Sequence, residues 1–216
     1  MHKTYTAIII LVYNNCKDTI NCINSIEKYN TAPIKIVIVN NGSSNVDTVQ
    51  ELGIYLSETY KNKYEYRKEN GLYDCKLSYV TLLDSKKNDG YAQGNNKGLQ
   101  LIYEDNEIEN VLILNNDVLW VEDIIPELQN ILDTIPDVGI VSPILYKKNL
   151  IGIDYNCARK DTTIWNEINN NLFHYIYRIL SIDKNKGRYL LNDYLSPNCL
   201  LPIELPSGSC MMIKKI

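Results

Sequence analysis

The sequence predicts an α/β fold with a mostly parallel central sheet covered by helices on both sides. Three observations predict it. Short Ile-, Val- and Leu-rich runs alternate with segments of helical periodicity through about the first 145 residues. The apolar runs are continuous, as expected of strands buried on both faces. Polar breaks rich in Asn, Asp, Ser and Gly sit at the carboxyl ends of the runs.

Thr6-Ala-Ile-Ile-Ile-Leu-Val12 is the first such strand. Ile20, Ile23 and Ile26 then recur at helical spacing, with Asn14 and Asn15 placed to cap the helix. Ile34 to Val39 reads as a second buried strand that Asn40-Asn41-Gly42-Ser43-Ser44 breaks, and a helix follows from Val46 to about Leu56. Ser57 to Lys76 is polar and Lys-rich, and is expected to be a long irregular excursion. Tyr79 to Leu83 is a third strand and Asn88-Asp89-Gly90 a turn. Asn95 to Tyr103 should be helical with Leu99, Ile102 and Tyr103 facing inward. Val111 to Leu114 is a fourth strand. Ile124, Leu128, Ile131 and Ile135 then form one apolar stripe, and Val138 to Val141 a further strand. Beyond Pro143 the pattern weakens. Trp165, Ile168, Leu172, Ile176 and Ile179 fit one helix face, suited to core or partner packing, with membrane-surface contact as the alternative. Leu205 to Ile216 looks like a strand just completed.

Composition narrows the function. With 22 basic against 26 acidic side chains the formal charge is −4, which argues against nucleic acid as a partner. A phosphate ligand would then need a metal ion or backbone N–H groups to offset its charge. Six scattered cysteines without C-x-x-C spacing read as reduced thiols, and two histidines exclude a histidine-rich zinc site. No apolar run reaches the roughly 20 residues needed to span a bilayer, and the N-terminus shows no cleavable signal.

In open α/β sheets ligands bind at the carboxyl ends of the strands. Those ends carry Tyr13-Asn14-Asn15, Asn40-Asn41-Gly42-Ser43, the Asp84 to Gly94 loop and Asn115-Asn116-Asp117, all polar. The first turn lacks G-x-G-x-x-G, and no P-loop is present. Asp117 after a four-residue apolar strand suits Mg²⁺ or Mn²⁺, hard cations that share oxygen ligands with a diphosphate. A helix cap or turn former is the other reading of such an aspartate.

Taken together the segments resemble the family 2 glycosyltransferases of the GT-A fold. Ile8-Ile-Ile-Leu-Val-Tyr-Asn14 resembles that family's opening strand, and Val37-Ile-Val-Asn-Asn-Gly-Ser43 is similar to its V-D-N-G-S turn. Asn88-Asp-Gly-Tyr-Ala-Gln-Gly-Asn-Asn-Lys-Gly98 looks like its N-x-G-[FY]-A-x-G-N-N-x-G segment. Leu112-Ile-Leu-Asn-Asn-Asp117 matches its L-N-x-D, and Val138 to Pro143 and Ser207 to Met212 fit later landmarks. The flavour is that of bacterial rhamnosyltransferase-like members that build surface polysaccharide.

The resemblance implies a Rossmann-like three-layer α/β/α fold with a mostly parallel mixed sheet. Residues 1–146 would bind the donor, and 147–216 would begin an acceptor-side region left incomplete at the C-terminus. It implies inverting, Mn²⁺- or Mg²⁺-assisted transfer from a UDP- or dTDP-sugar to a glycan or lipid-linked acceptor. Tyr13 and Asn14 would flank the base, and Asn41, Gly42 and Ser43 would face the base or ribose. Asn40 stands where relatives carry Asp, which removes a charged acceptor. Asn88, Gly90, Gly94, Asn95 and Asn96 would lie near the ribose and diphosphate. Asp117 would hold the metal, with Asn115 and Asn116 beside it. Turn-forming and helix-capping roles stay open for the asparagines, and loop punctuation for Gly90 and Gly94. The general base is expected beyond Ile216, so the chain as given would bind donor without completing transfer. A non-catalytic binding or scaffold domain is the alternative, and a sugar nucleotidyltransferase would need a Gly-rich basic loop after the first strand. The expected location is cytoplasmic, extending to the inner face of the plasma membrane, with peripheral membrane association open for a full-length protein.

Overall fold

The computed structural model describes residues 4–71, 73–148, 151–160, 189, 191–194 and 200–215. These fall into two compact units, one of Met1–Pro143 with Gly208–Ile216 and one of Ile144–Ser207.

In the first unit the chain runs β1 (Tyr5–Val12), α1 (Cys16–Tyr29), β2 (Ile34–Asn41), α2 (Val46–Tyr60), β3 (Tyr64–Lys68), β4 (Val80–Ser85), α3 (Gly90–Glu104), β5 (Ile108–Asn115), α4 (Ile125–Thr134) and β6 (Ile140–Val141). The strand β9 (Cys210–Lys214) then returns to the same sheet, whose order is β3-β4-β2-β1-β5-β9-β6. The first five strands in that order run parallel, while β9 pairs antiparallel with both β5 and β6. This is the expected mostly parallel mixed sheet.

Alternation along the strands sorts side chains onto two helical layers. Ala7, Ile9, Val37 and Val39 cluster with Leu99 and Ile102 of α3 on one face. The intervening Ile8, Ile10, Ile36 and Ile38 are equally buried on the other. There α1 and α2 pack together, and Gln129 of α4 donates to Thr6 at 2.7 Å. Burial on both faces explains why these strands read as unbroken apolar runs.

Several local expectations are corrected. Ser57 to Lys76 is regular as far as Lys68, and only its described residues beyond that form turns and bends. Helix α2 continues to Tyr60, and a 3₁₀ turn leads into β3, which pairs with β4. As an edge strand, β3 buries only Arg67 well, so its sequence carries no apolar run. Helix α3 begins at Gly90 instead of Asn95, and Tyr103 is exposed, with Lys215 over its ring. The buried stripe of α4 is Ile125, Leu128 and Leu132, with Ile124, Ile131 and Ile135 on its flanks.

Asn15 caps α1 by accepting from the Asp18 N–H, and Asn45 caps α2 in the same way through Asp47. In the second unit, β7 (Ala158–Arg159) pairs with β8 (Leu205–Pro206), and the Tyr155 and Tyr194 rings meet at 6.0 Å. The Trp165-to-Ile179 stripe lies outside the described residues. Cys16, Cys22, Cys75, Cys157 and Cys210 are free thiols.

At the amino edge of the sheet Lys35 is buried and donates to Asp105 at 2.7 Å. Burial alone would raise the Asp105 pKa, but hydrogen bonds from Lys35 and from the Leu77 and Glu107 N–H groups outweigh it and hold the carboxyl below its ordinary value. Asp105→Ala should therefore cost about 3 kcal/mol at neutral pH, because it strands a buried ammonium on Glu107 alone. A depressed folded pKa gives stability that is complete above the unfolded aspartate value of about 3.9 and is lost as pH falls through the folded value. Urea melts at pH 7 and pH 3 should show the gap between wild type and variant narrowing in acid.

Candidate functional site

The carboxyl ends of the parallel strands converge on one rim. From β1 the chain passes to β2, out to β3 at the edge and back to β4 between them, whereas β5 lies on the opposite side of β1. The connection order thus reverses between β1 and β5, which is where open α/β sheets place their ligands. Register aligns Leu11 with Asn115 and Val12 with Asn40, so the β2 and β5 ends flank β1. At the usual strand spacing they stand roughly 10 Å apart.

Each asparagine doublet at this rim divides between the two faces, because successive strand residues alternate. Asn41 turns toward α3: its Nδ2 donates to Asn88 Oδ1 at 3.0 Å and to the Gly90 carbonyl at 3.1 Å, and its Oδ1 accepts from the Asp89 N–H at 3.3 Å. Asn40 turns toward α2. Its Nδ2 donates to Asp84 Oδ1 at 2.7 Å, while its Oδ1 accepts from the Ser43 N–H at 3.2 Å and hydroxyl at 2.5 Å. Both side chains are buried and spend their amides holding loops. In the same manner Asn116 points to α1, donating to Thr19 Oγ1 at 3.0 Å and to the Asn15 carbonyl at 3.4 Å. Asn115 is half-buried, and its backbone N–H donates to the Ser209 carbonyl at 2.9 Å.

The exposed members are different. Tyr13 is 47% exposed, and hydrogen bonds with Ser44, then Asn88 and Asn14, hold its hydroxyl below the ordinary phenol range against a small burial effect. Asn14 sits at φ 57°, a left-handed position that asparagine tolerates. Its N–H donates to Ser43 Oγ at 3.0 Å, its Nδ2 to Ser44 Oγ at 2.9 Å, and its Oδ1 accepts from the Asn45 N–H at 2.9 Å. The loops after β1, β2 and β4 are therefore laced together through Tyr13, Asn14, Asn41 and Asn88.

Close approach sets the glycines. A Cβ on Gly94 would lie 2.6 Å from Leu11 Cδ1 and 3.0 Å from Asn41 Cγ, so only glycine lets α3 sit this near the strand ends. Asn95 is buried with its Nδ2 on the Tyr91 carbonyl at 3.0 Å, whereas Asn96 is exposed. The Tyr91 hydroxyl donates to the Gly208 carbonyl, tying the start of α3 to the approach to β9.

Carboxylates divide as well. Asp89 is held by Lys97 at 2.8 Å and Lys87 at 2.9 Å, which keep it below the ordinary carboxylate range. Lys97 also reaches Glu69 at 3.0 Å and Ser85 at 2.5 Å, pinning α3 to the β3–β4 edge. Asp84, which the sequence did not single out, accepts from Asn40 and, at 2.7 Å, from the Tyr66 hydroxyl. Strand pairing could have flagged it, since Asn40 and Asp84 are register partners, but pairing is not visible in one sequence. Asp117 lies exposed in the turn after β5. Its charge is felt by the buried Cys22 thiol, whose pKa is pushed up by burial first, then by Cys210 and Asp117.

No group of three or more His, Cys, Asp or Glu side chains able to hold a metal occurs among the described residues. Asp117, flanked by the neutral Asn115 and Asn116, fits a divalent ion in one way: as a single carboxylate that shares the ion with substrate phosphates.

The doubly wound α/β sheet, with amide-rich loops drawn together at its switch point, is of the GT-A type. The chain belongs to glycosyl transferase family 2, whose model matches residues 7–185, more than half of the sequence. No curated protein matches it in sequence. Similar solved structures include the following two. The mannosyltransferase PcManGT from Pyrobaculum calidifontis, in complex with GDP-Man and Mn²⁺, is 21% identical with a TM-score of 0.47, over 66% of this chain and 35% of that one. TarS 1–349 from S. aureus is 18% identical with a TM-score of 0.49, over 95% of this chain and 52% of that one. The chain thus spans less than two thirds of either structure.

Gly42 offers a direct test of the rim. It sits at φ +61°, and a Cβ there would fall 2.3 Å from the Lys87 carbonyl carbon. Gly42→Ala should destabilise the chain by more than about 1 kcal/mol in a urea melt, and should separate the β2 and β4 loops, seen as lost amide-exchange protection at Asp89.

Proposed function

We propose that this chain binds a nucleoside-diphosphate sugar at the carboxyl rim of its sheet and belongs to an enzyme that transfers the sugar, with inversion, to a glycan or lipid-linked acceptor. One observation carries the reading: the loops after β1, β2 and β4 are bonded to one another at one side of the switch point, while an exposed aspartate stands at the other side. That arrangement suits a ligand with a neutral, hydrogen-bonding end and an anionic end.

In this reading the base and ribose lie against Tyr13, Asn14 and Ser43. The diphosphate crosses the β1 end toward Asp117, with Asn96 at the exposed surface of α3. Asn40, Asn41 and Asn88 act one step back, fixing the loops that touch the ligand. Asp117 would hold Mg²⁺ or Mn²⁺, which when bound offsets the charge that builds on the departing nucleoside diphosphate. The weakly acidic chain makes that offset necessary, since Lys97, a half-buried ammonium that reaches the β4–α3 loop, is already committed to Glu69 and Asp89. Transfer also requires a base to take the acceptor hydroxyl proton, a role assigned here to none of the described residues.

With one protein carboxylate in the site, metal and nucleotide should bind together. Calorimetry should show UDP or dTDP binding strengthened by Mn²⁺, and little Mn²⁺ binding without nucleotide. Asp117→Ala should remove the Mn²⁺ enhancement, roughly tenfold or more in affinity, and leave the metal-free affinity nearly intact. Absence of binding by either nucleotide, with and without Mn²⁺, refutes the proposal.

A further inference from the structure

Between α2 and the β3–β4 edge lies a cleft of about 660 Å³ whose mouth shares Asn40, Gly42 and Ser43 with the rim described above. Its lining is mixed, with Gln50, Ser57, Ser85 and Lys86 beside three exposed apolar groups. Val46 is 78% exposed, Ile54 is 51% exposed, and Tyr66 presents its ring at 39% exposure. These are apolar groups left facing the cleft. At its floor stands Asp84, half-buried, with one carboxylate oxygen on Asn40 Nδ2 and the other on the Tyr66 hydroxyl, both at 2.7 Å.

This combination selects for a particular chemistry. Apolar walls with an aromatic face accept a flat heteroaromatic ring. A carboxylate has only acceptors to offer, and two bonds leave lone pairs on each oxygen unused. Held on both sides by neutral donors, Asp84 keeps its orientation, and its remaining acceptor capacity faces the cleft, which Lys86 also lines. Asn40 is the neutral residue at the position where the family resemblance expects an acid. Its amide bonds the acid that stands opposite it on β4, one strand away. At this corner of the rim the acid stands on β4, opposite the neutral residue of β2.

We infer that Asp84 is the base-specificity residue of the donor site, accepting the ring N–H of a nucleobase that carries one beside a carbonyl, as uracil, thymine and guanine do. The inference rests on the donor reading above. Cytosine and adenine present a bare ring nitrogen at that edge, which a carboxylate repels. Asn40 is a positioning residue that aims the Asp84 carboxylate, and Tyr66 supports it from the edge strand.

The test is calorimetry on the full chain with Mn²⁺ and UDP, dTDP, GDP, CDP, ADP and 3-methyl-UDP, whose ring nitrogen carries a methyl group in place of hydrogen. At least one of UDP, dTDP and GDP should bind roughly tenfold to a hundredfold more tightly than CDP and ADP, the scale of a hydrogen bond to a charged acceptor. The relative strength of those three separates a pyrimidine from a purine donor. If UDP is a preferred ligand, 3-methyl-UDP should fall to the level of CDP, a measurement that needs no variant. Asp84→Asn should collapse the preference ratio. Equal binding of all bases by the wild type overturns the inference and leaves the donor reading standing, as does a ratio that survives Asp84→Asn. Failure of every nucleotide to bind the wild type removes both.

Discussion

The Asn41 side chain is the fastening on which the rim depends. Standing at the last position of β2, it uses both amide ends on the loop that leads into α3, so the loop after one strand is tied to the loop after another. The bond is possible because α3 comes so close that a Cβ at Gly94 would collide with Leu11 and crowd Asn41, and one at Gly98 would crowd Ile9 and Val39. A helix packed at ordinary side-chain distance would leave the amide short of its partners. Small residues in α3 therefore do more than permit packing. They bring the N-terminus of the helix to the place where strands β1 and β2 end, with the Asp89 and Gly90 N–H groups taken up by Asn41 and Asn88.

The neighbouring Asn40 illustrates a second economy. Two asparagines in succession at a strand end cannot serve the same face, and here they serve opposite ones. One organises the α3 side and the other the α2 side. At β5 the side chain of Asn116, just past the strand, secures α1, and Asp117 emerges beyond it. Polar side chains that read as a uniform ligand-binding edge thus separate into those that shape the edge and those that stand exposed on it.

Much of this was legible in the sequence. The buried strands declared themselves through unbroken β-branched runs, and each polar break fell at a carboxyl end. The four motif segments carried the family. Other parts were not legible, for identifiable reasons. β3 is an edge strand with one well-buried side chain, Arg67, so no hydrophobic period marks Tyr64–Lys68. The start of α3 at Gly90 was obscured because a glycine and an exposed tyrosine occupy its first positions, neither of which signals a helix. Asp84 lay unnoticed because its importance comes from the residue opposite it on the next strand, and strand register is a long-range property. The commitment of Asn40, Asn41 and Asn116 to internal hydrogen bonds likewise depends on partners that are dozens of residues away.

The return of the chain through β9 has a consequence for how the molecule can vary. Val141 at the end of β6 pairs with Met212 on β9, so the segment Ile144–Ser207 leaves the sheet and rejoins it between hydrogen-bonded neighbours. A loop whose ends are already pinned side by side costs little more when lengthened, since each doubling adds only about 0.6 kcal/mol of closure entropy. The sheet can therefore tolerate inserts of very different size at this one point. A change in the length of that segment costs the parallel strands that carry the rim little.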